Sequence, residues 1–165
     1  MVADRMSDVL TAPGEPLSAA AALSALYQFL DRPTIDLLHR VIGLTPSGTV
    51  RLVDKLEHAG LVERGPGEHD KRSVTVSLTP RGEHAARRVS TARASVLRDA
   101  LATLSPDEQR TFEQLSSKLL VALMRPPGAE RWMCRLCDTG DCDRAGGRCP
   151  VYNAALAQYG PDQKP

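Results

Sequence analysis

Hydrophobic and polar positions change rhythm several times along the chain, and each change marks an element. From Leu17 to Leu30, LSAAAALSALYQFL is apolar almost all round, which predicts a largely buried helix. Asp31-Arg32-Pro33 breaks it. TIDLLHRVIG then predicts a short helix, with Thr34 as N-cap and Gly43 as its stop. LTPSGTVRLVDKLEHAG repeats that logic. Thr45 caps, Pro46 suits the first helical position, Val50, Val53 and Leu56 recur at helical spacing, and Gly60 ends the helix. Two short helices are thus joined by the tight turn Gly43-Leu44-Thr45.

The period then falls to two. LVER and SVTVSL read as strands around an exposed charged loop, the second with Val74, Val76 and Leu78 on one half-buried face. Thr79-Pro80 opens a helix predicted to run to Leu104, with Val89, Ala92 and Val96 on one stripe. Ser105 and Glu108 form a capping box for a further helix carrying Phe112, Leu115, Leu119 and Leu123 on one face. The fold class expected is mainly α with a small β-hairpin wing (α+β): a winged helix–turn–helix followed by long C-terminal dimerisation helices. The expected segments are a short N-terminal stretch (1–16), the winged lobe (17–80), the dimerisation helices (81–125) and a C-terminal cysteine segment (126–165).

Composition narrows the picture. A chain of 165 residues makes one domain with room for an appendage, and 4% aromatic content requires an aliphatic core. The net charge of +1 means that any basic surface must be local. No apolar run approaches the roughly 20 residues that span a bilayer, and the first residues lack the apolar core of a signal peptide. The expected location is the cytoplasm, where thiols stay reduced and four cysteines point to metal or redox chemistry before disulfides.

A helix–turn–helix places its second helix in a major groove, with N-terminal residues at the base edges. Thr45, Pro46, Ser47, Gly48 and Thr49 occupy that end, where small residues allow close approach and free N–H groups suit a phosphate. Arg51 and Lys55, four apart and away from Val53 and Leu56, are candidates for base or phosphate contact. In the loop, Lys71 and Arg72 follow His69 and Asp70. An Arg there suits a narrow minor groove, and Asp70 is placed to hold its guanidinium. The plain alternative is a solvated charged loop and a helix pair that only packs. Asp54, Glu57, Glu63 and Glu68 dilute the basic patch.

The stretches RLVDKLEHAGLVER, DKRSVTVSLTPRG and LSPDEQRTFEQLSSKLL resemble the MarR family of bacterial transcriptional regulators. The resemblance covers roughly residues 17 to 124 and implies a homodimer on a pseudo-palindromic double-stranded DNA operator, with Asp70 and Arg72 acting as the wing pair. It also exposes departures. Only 16 residues precede Leu17, so the family's first helix is expected to be short or absent. His39 stands where the family often has a small residue. A lone His lacks the partners of a metal site, so it reads as a spacer.

Cys134, Cys137, Cys142 and Cys149 form C-x2-C-x4-C-x6-C, closed by Pro150. Four thiolates complete the ligand set of one zinc ion or one iron–sulfur cluster. Zinc sites usually pair two C-x2-C knuckles across a longer gap, whereas a terminal Cys-Pro belongs to ferredoxin runs. The loop resembles the cluster-binding loop of SoxR, a redox sensor of the MerR family with C-x2-C-x-C-x5-C-P, although the middle gap is longer here. That resemblance implies a [2Fe–2S] cluster, with zinc as the alternative. A zinc-stabilised regulator sensing a small molecule, and a cysteine redox enzyme, are the other classes. Nothing catalytic supports the last, since no nucleophile–base pair or phosphate loop is evident.

Overall fold

The computed structural model describes residues 17–67, 72–124, 133–135, 137–144 and 146–160. Helix α1 (Leu17–Gln28) is the centre of the core. Every residue from Ala19 to Leu26 is buried, because small alanines let neighbours approach on all sides. Helices α2 (Ile35–Ile42), α3 (Pro46–His58) and α4 (Pro80–Leu101) pack around it, with strand β2 (Val74–Leu78). Strand β2 pairs antiparallel with β1 (Val62–Pro66), setting Arg64 opposite Val76 and Pro66 opposite Val74.

Local chemistry fixes the turns. Thr34 Oγ1 accepts the Leu37 N–H at 3.1 Å to start α2. Gly43 ends it at φ 72, a left-handed conformation that costs glycine little, with its N–H donating to His39 O at 3.0 Å. Thr45 Oγ1 accepts the Gly48 N–H at 3.1 Å to start α3. Thr79 then locks wing to scaffold. Its hydroxyl donates to Gly60 O at 2.7 Å and accepts from the Gly82 N–H at 3.0 Å, and its own N–H donates to Leu61 O at 3.1 Å.

Helix α5 (Pro106–Ala122) begins at the expected capping box, with the Ser105 N–H donating to Glu108 Oε2 at 2.8 Å. None of its residues is buried. A single turn, α6 (Thr139–Cys142), and helix α7 (Pro150–Tyr159) complete the described chain, and α7 packs on α5.

Several expectations are corrected. The buried stripe of α3 is Thr49, Leu52, Val53 and Leu56, and Val50 is 41% exposed. On β2 the alternation fails at the tip: Val74 is exposed and Thr75 buried. Thr75 pairs with Thr34 of the α1–α2 link and donates its hydroxyl to Gly65 O at 3.1 Å, so it faces inward. Strand β1 runs beyond LVER to Pro66. Helix α4 stops at Leu101, where Leu104 N–H turns back to Leu101 O at 3.0 Å. The segment before Leu17 lies outside the described residues.

Candidate nucleic-acid interface and cysteine centre

The N-terminal turn of α3 is presented outward. Thr45, Pro46 and Ser47 are exposed and Gly48 is half-buried. Thr49 is a correction: it is fully buried, and its hydroxyl donates to Thr45 O at 3.1 Å. It holds the turn from inside and offers nothing to a base edge. Val50, expected on the apolar stripe with Val53 and Leu56, stands on the open surface beside Arg51. Only three-dimensional register reveals this, because valine at helical spacing reads as core.

Arg51 and Lys55 are exposed and make no ion pair among the described residues. The acidic residues of the same helix share one cation supplied from behind. Arg64 of β1 holds Asp54 at 2.6 Å and also binds Glu57. Burial works against the Arg64 charge, but the Asp54 hydrogen bond and the Glu57 charge outweigh it and raise its pKa. One guanidinium shared by two carboxylates offsets about half of the dilution of the basic patch by Asp54 and Glu57. His39, the expected spacer, is half-buried and lies 3.2 Å from Asp36.

The wing is closed near its tip by the Gly67 N–H donating to Ser73 O at 2.9 Å. Arg72 is exposed on its returning arm. His69, Asp70 and Lys71 lie outside the described residues, and with them the expected Asp70–Arg72 pairing. The wing base is tied to the α1–α2 link, where Pro33 O accepts the Val76 N–H at 3.0 Å.

The four cysteines are brought together. Cys134, Cys137, Cys142 and Cys149 line one cavity of about 30 Å³, closed by Phe29 and Tyr152. The Cys137 N–H donates to Cys134 O at 2.8 Å, making the C-x2-C turn. Asp138 accepts the Gly140 N–H at 2.9 Å and so starts α6, which carries Cys142. Asp143 holds the longer gap by accepting from the Gly146 N–H at 3.1 Å and from Arg148 Nε at 2.8 Å. Cys149 caps α7, its sulfur accepting the Tyr152 N–H at 3.4 Å.

All four cysteines are half-buried free thiols, linked two and two by hydrogen bonds. The bond between Cys134 and Cys137 pushes the Cys134 thiol up, with burial adding to it. The same bond brings Cys137 down to about 6 against the opposing effect of burial, and the Arg93 charge helps. Burial, then the neighbouring Cys149, raises Cys142 to about 11. Among the described residues, no three His, Cys, Asp or Glu side chains stand as a ready-made metal-ligand group. The four sulfurs share one cavity, with Cys137 the most acidic of the three whose pKa is displaced.

Beside this centre lies a larger cavity of about 500 Å³ between α4, α5 and the cysteine loop, with Val89, Arg93, Leu97, Gln109 and Cys137 in its wall. Helix α5 exposes Phe112, Leu115 and Leu119, with Leu123 exposed at its C-cap, and Leu97 and Leu101 of α4 are also exposed, at the cavity wall. Among the described residues no helix is long and apolar enough to cross a membrane.

Residues 14–73 match the MarR family model. The regulator PrsX of Escherichia coli is 34% identical over 79 residues, 48% of each chain. The regulator YsmB of Bacillus subtilis is 35% identical over 97 residues, 59% of this chain and 66% of that one. The chain spans about half the length of the first of these relatives. Wild-type apo MarR from E. coli superposes with a TM-score of 0.61 at 24% identity, covering 72% of this chain and 88% of that one, a likeness of fold. The family match and these relatives agree in likening the winged helix–turn–helix segment to MarR-type regulators, and the structural likeness shows the same fold.

Proposed function

We propose that the protein is a homodimeric, sequence-specific DNA-binding transcriptional regulator of MarR type. One observation carries this reading: α3 offers Ser47, Val50, Arg51 and Lys55 to solvent while Arg64 withdraws Asp54 and Glu57 from the phosphates. Ser47, with its hydroxyl and N–H at the helix start, suits a phosphate, and Arg51 suits a guanine edge or phosphate. Arg72 lies on the wing, within reach of an adjacent minor groove. The exposed apolar stripe of α5 calls for a second copy of the chain, since faces of this kind are rarely left to water. In vitro selection of binding sites is expected to return a pseudo-palindrome. Arg51→Ala should weaken binding to it about tenfold or more; unchanged affinity would remove α3 from the interface.

The finer reading concerns the cysteines. Cys134, Cys137, Cys142 and Cys149 fit a metal group by donor chemistry: four thiols, one cavity, with Arg93 and Arg144 near enough to favour their thiolate forms. These residues would hold an iron–sulfur cluster, [2Fe–2S], or in the alternative a zinc ion. A cluster supplies a redox-variable charge; zinc supplies a fixed one. The chain does the rest. Cys149 caps α7, which packs on α5, so the way these thiols are held bears directly on the dimerisation helix. Anaerobic purification with visible absorption and metal analysis tests it. Brown protein with iron and sulfide supports the cluster, whereas colourless protein with one zinc per chain ends the redox reading.

A second reading is favoured by the 500 Å³ cavity, whose mixed wall sets Arg93 and Arg98 beside Asp138, Asp141 and apolar side chains. It suits a small molecule with both apolar and charged parts. Arg93→Ala should abolish any thermal stabilisation that such a compound produces.

A further inference from the structure

The cysteine segment meets the DNA-binding lobe at Gln28, the last residue of α1. Thr139, which stands between Cys137 and Cys142, donates its N–H to Gln28 Oε1 at 3.1 Å and its hydroxyl to the same oxygen at 2.6 Å. That hydroxyl also lies 3.3 Å from the Gln28 backbone carbonyl. The Gln28 amide nitrogen donates to Ser90 Oγ of α4 at 3.5 Å. Phe29, next in the chain, forms part of the cysteine cavity wall.

Beyond Phe29 the link to α2 is short and constrained. Leu30 is buried, and Arg32 is held at φ 42, a conformation that residues with a Cβ rarely adopt. Pro33 then accepts the Val76 N–H at 3.0 Å, and Thr34 bridges to Thr75. From the cysteine loop to strand β2 the path is therefore continuous: Thr139, Gln28, the link 30–34, then Thr75 and Val76. Arg72 lies on the arm that β2 continues.

We propose that Gln28 is a relay, a positioning residue that couples the ligand loop Cys137–Cys142 to the wing. The inference rests on reading the four cysteines as a metal centre. Thr139 is flanked by two of the four ligands, so a change in how Cys137 and Cys142 are held displaces the residue that bonds Gln28. The end of α1 moves with it, and the link passes the displacement to β2. The signal thus reaches the wing within one subunit, by a path separate from the α7–α5 contact and the dimer interface.

Two conservative variants test this in the full chain. Gln28→Met removes the acceptor oxygen while keeping an unbranched side chain that suits a helix, and Thr139→Val removes the hydroxyl while keeping the shape. Three quantities are read: metal per chain after anaerobic purification, affinity for the selected operator before and after chelation, and amide hydrogen exchange across β2. Both variants should carry as much metal as the unaltered protein. The affinity ratio between loaded and chelated states, about fivefold or more in the unaltered protein, should fall close to one in both. Exchange of the Thr75 and Val76 amides should become several-fold faster in the variants.

A variant that keeps its metal and the unaltered ratio overturns the relay. So does a ratio of one in the unaltered protein, or β2 exchange that is the same in all three. Loss of metal in both variants also overturns it, because Gln28 would then support the centre and not report on it. If the unaltered protein itself carries no metal, the metal-centre reading fails, and the exchange measurement alone decides whether Gln28 steadies the wing.

Discussion

Gly82→Ala puts the junction between wing and scaffold to a direct test. A Cβ at this position would lie 1.8 Å from the Leu61 carbonyl oxygen and 2.9 Å from its carbon. Carbon and oxygen sit comfortably at about 3.3 Å or more, so the two backbones must part by well over an ångström. Leu61 cannot simply yield, because its carbonyl holds the Thr79 N–H at 3.1 Å while the Thr79 hydroxyl holds Gly60 O at 2.7 Å. Overpacking of this kind costs about 3 kcal/mol. Losing the two Thr79 bonds adds about 2 kcal/mol, and the better helix propensity of alanine returns about 1 kcal/mol. The net expectation is a loss of about 4 kcal/mol, a large part of the roughly 5–15 kcal/mol typical of a domain. Urea unfolding followed by circular dichroism, at one fixed protein concentration, measures it. Operator binding should fall as well, since the same junction seats the wing. A Gly82→Ala protein as stable as its parent would show that α4 is not seated through Leu61 and Thr79.

The same geometry sets three further outcomes. Arg64→Ala should weaken operator binding about tenfold at low salt, although Arg64 itself is drawn back towards the helix. The loss should vanish when Asp54→Asn and Glu57→Gln are added, and a loss that persists in that background would make Arg64 a direct DNA contact. Val50 should touch a thymine methyl: replacing that thymine by deoxyuridine should cost the unaltered protein up to about 0.8 kcal/mol and cost Val50→Ala nothing. Equal penalties at every thymine in both proteins would exclude it. Leu119, 64% exposed on the α5 stripe, should carry self-association, so that Leu119→Glu sediments as a monomer; a dimeric Leu119→Glu would move the interface elsewhere.

Chemistry acting over a few residues was legible in the sequence. Thr34, Thr45, Thr79 and Ser105 cap their helices as expected, and Gly43 and Gly60 stop theirs, because a cap is decided by one side chain and the N–H groups within three residues of it. Side-chain roles that depend on register within a helix were less legible. Val50 and Thr49 exchange their expected places, since an alphabet of apolar and polar types ranks valine as core and threonine as surface. The backbone puts Thr49 beneath the turn, where its hydroxyl is satisfied at Thr45 O. The acidic residues of α3 read as diluting the basic patch for the same reason: Arg64, which offsets part of their charge, comes from the strand after the helix.

Least legible were the contacts that give the cysteines a purpose. Their spacing announces a shared site, and the structure brings all four around one cavity. Nothing in that spacing names Gln28, a polar residue at the end of a helix 111 positions before its partner Thr139. Local patterns are set by the backbone's own hydrogen bonds, so they repeat from chain to chain and can be read. A coupling contact is set by which surfaces happen to meet, and an ordinary Gln or Thr serves as well as any motif. If a signal passes from Cys137 and Cys142 to the wing, its most informative residues are therefore Gln28 and Thr139, which carry neither metal nor DNA. Substitutions at the ligands would remove signal and sensor together, whereas those two positions can separate them.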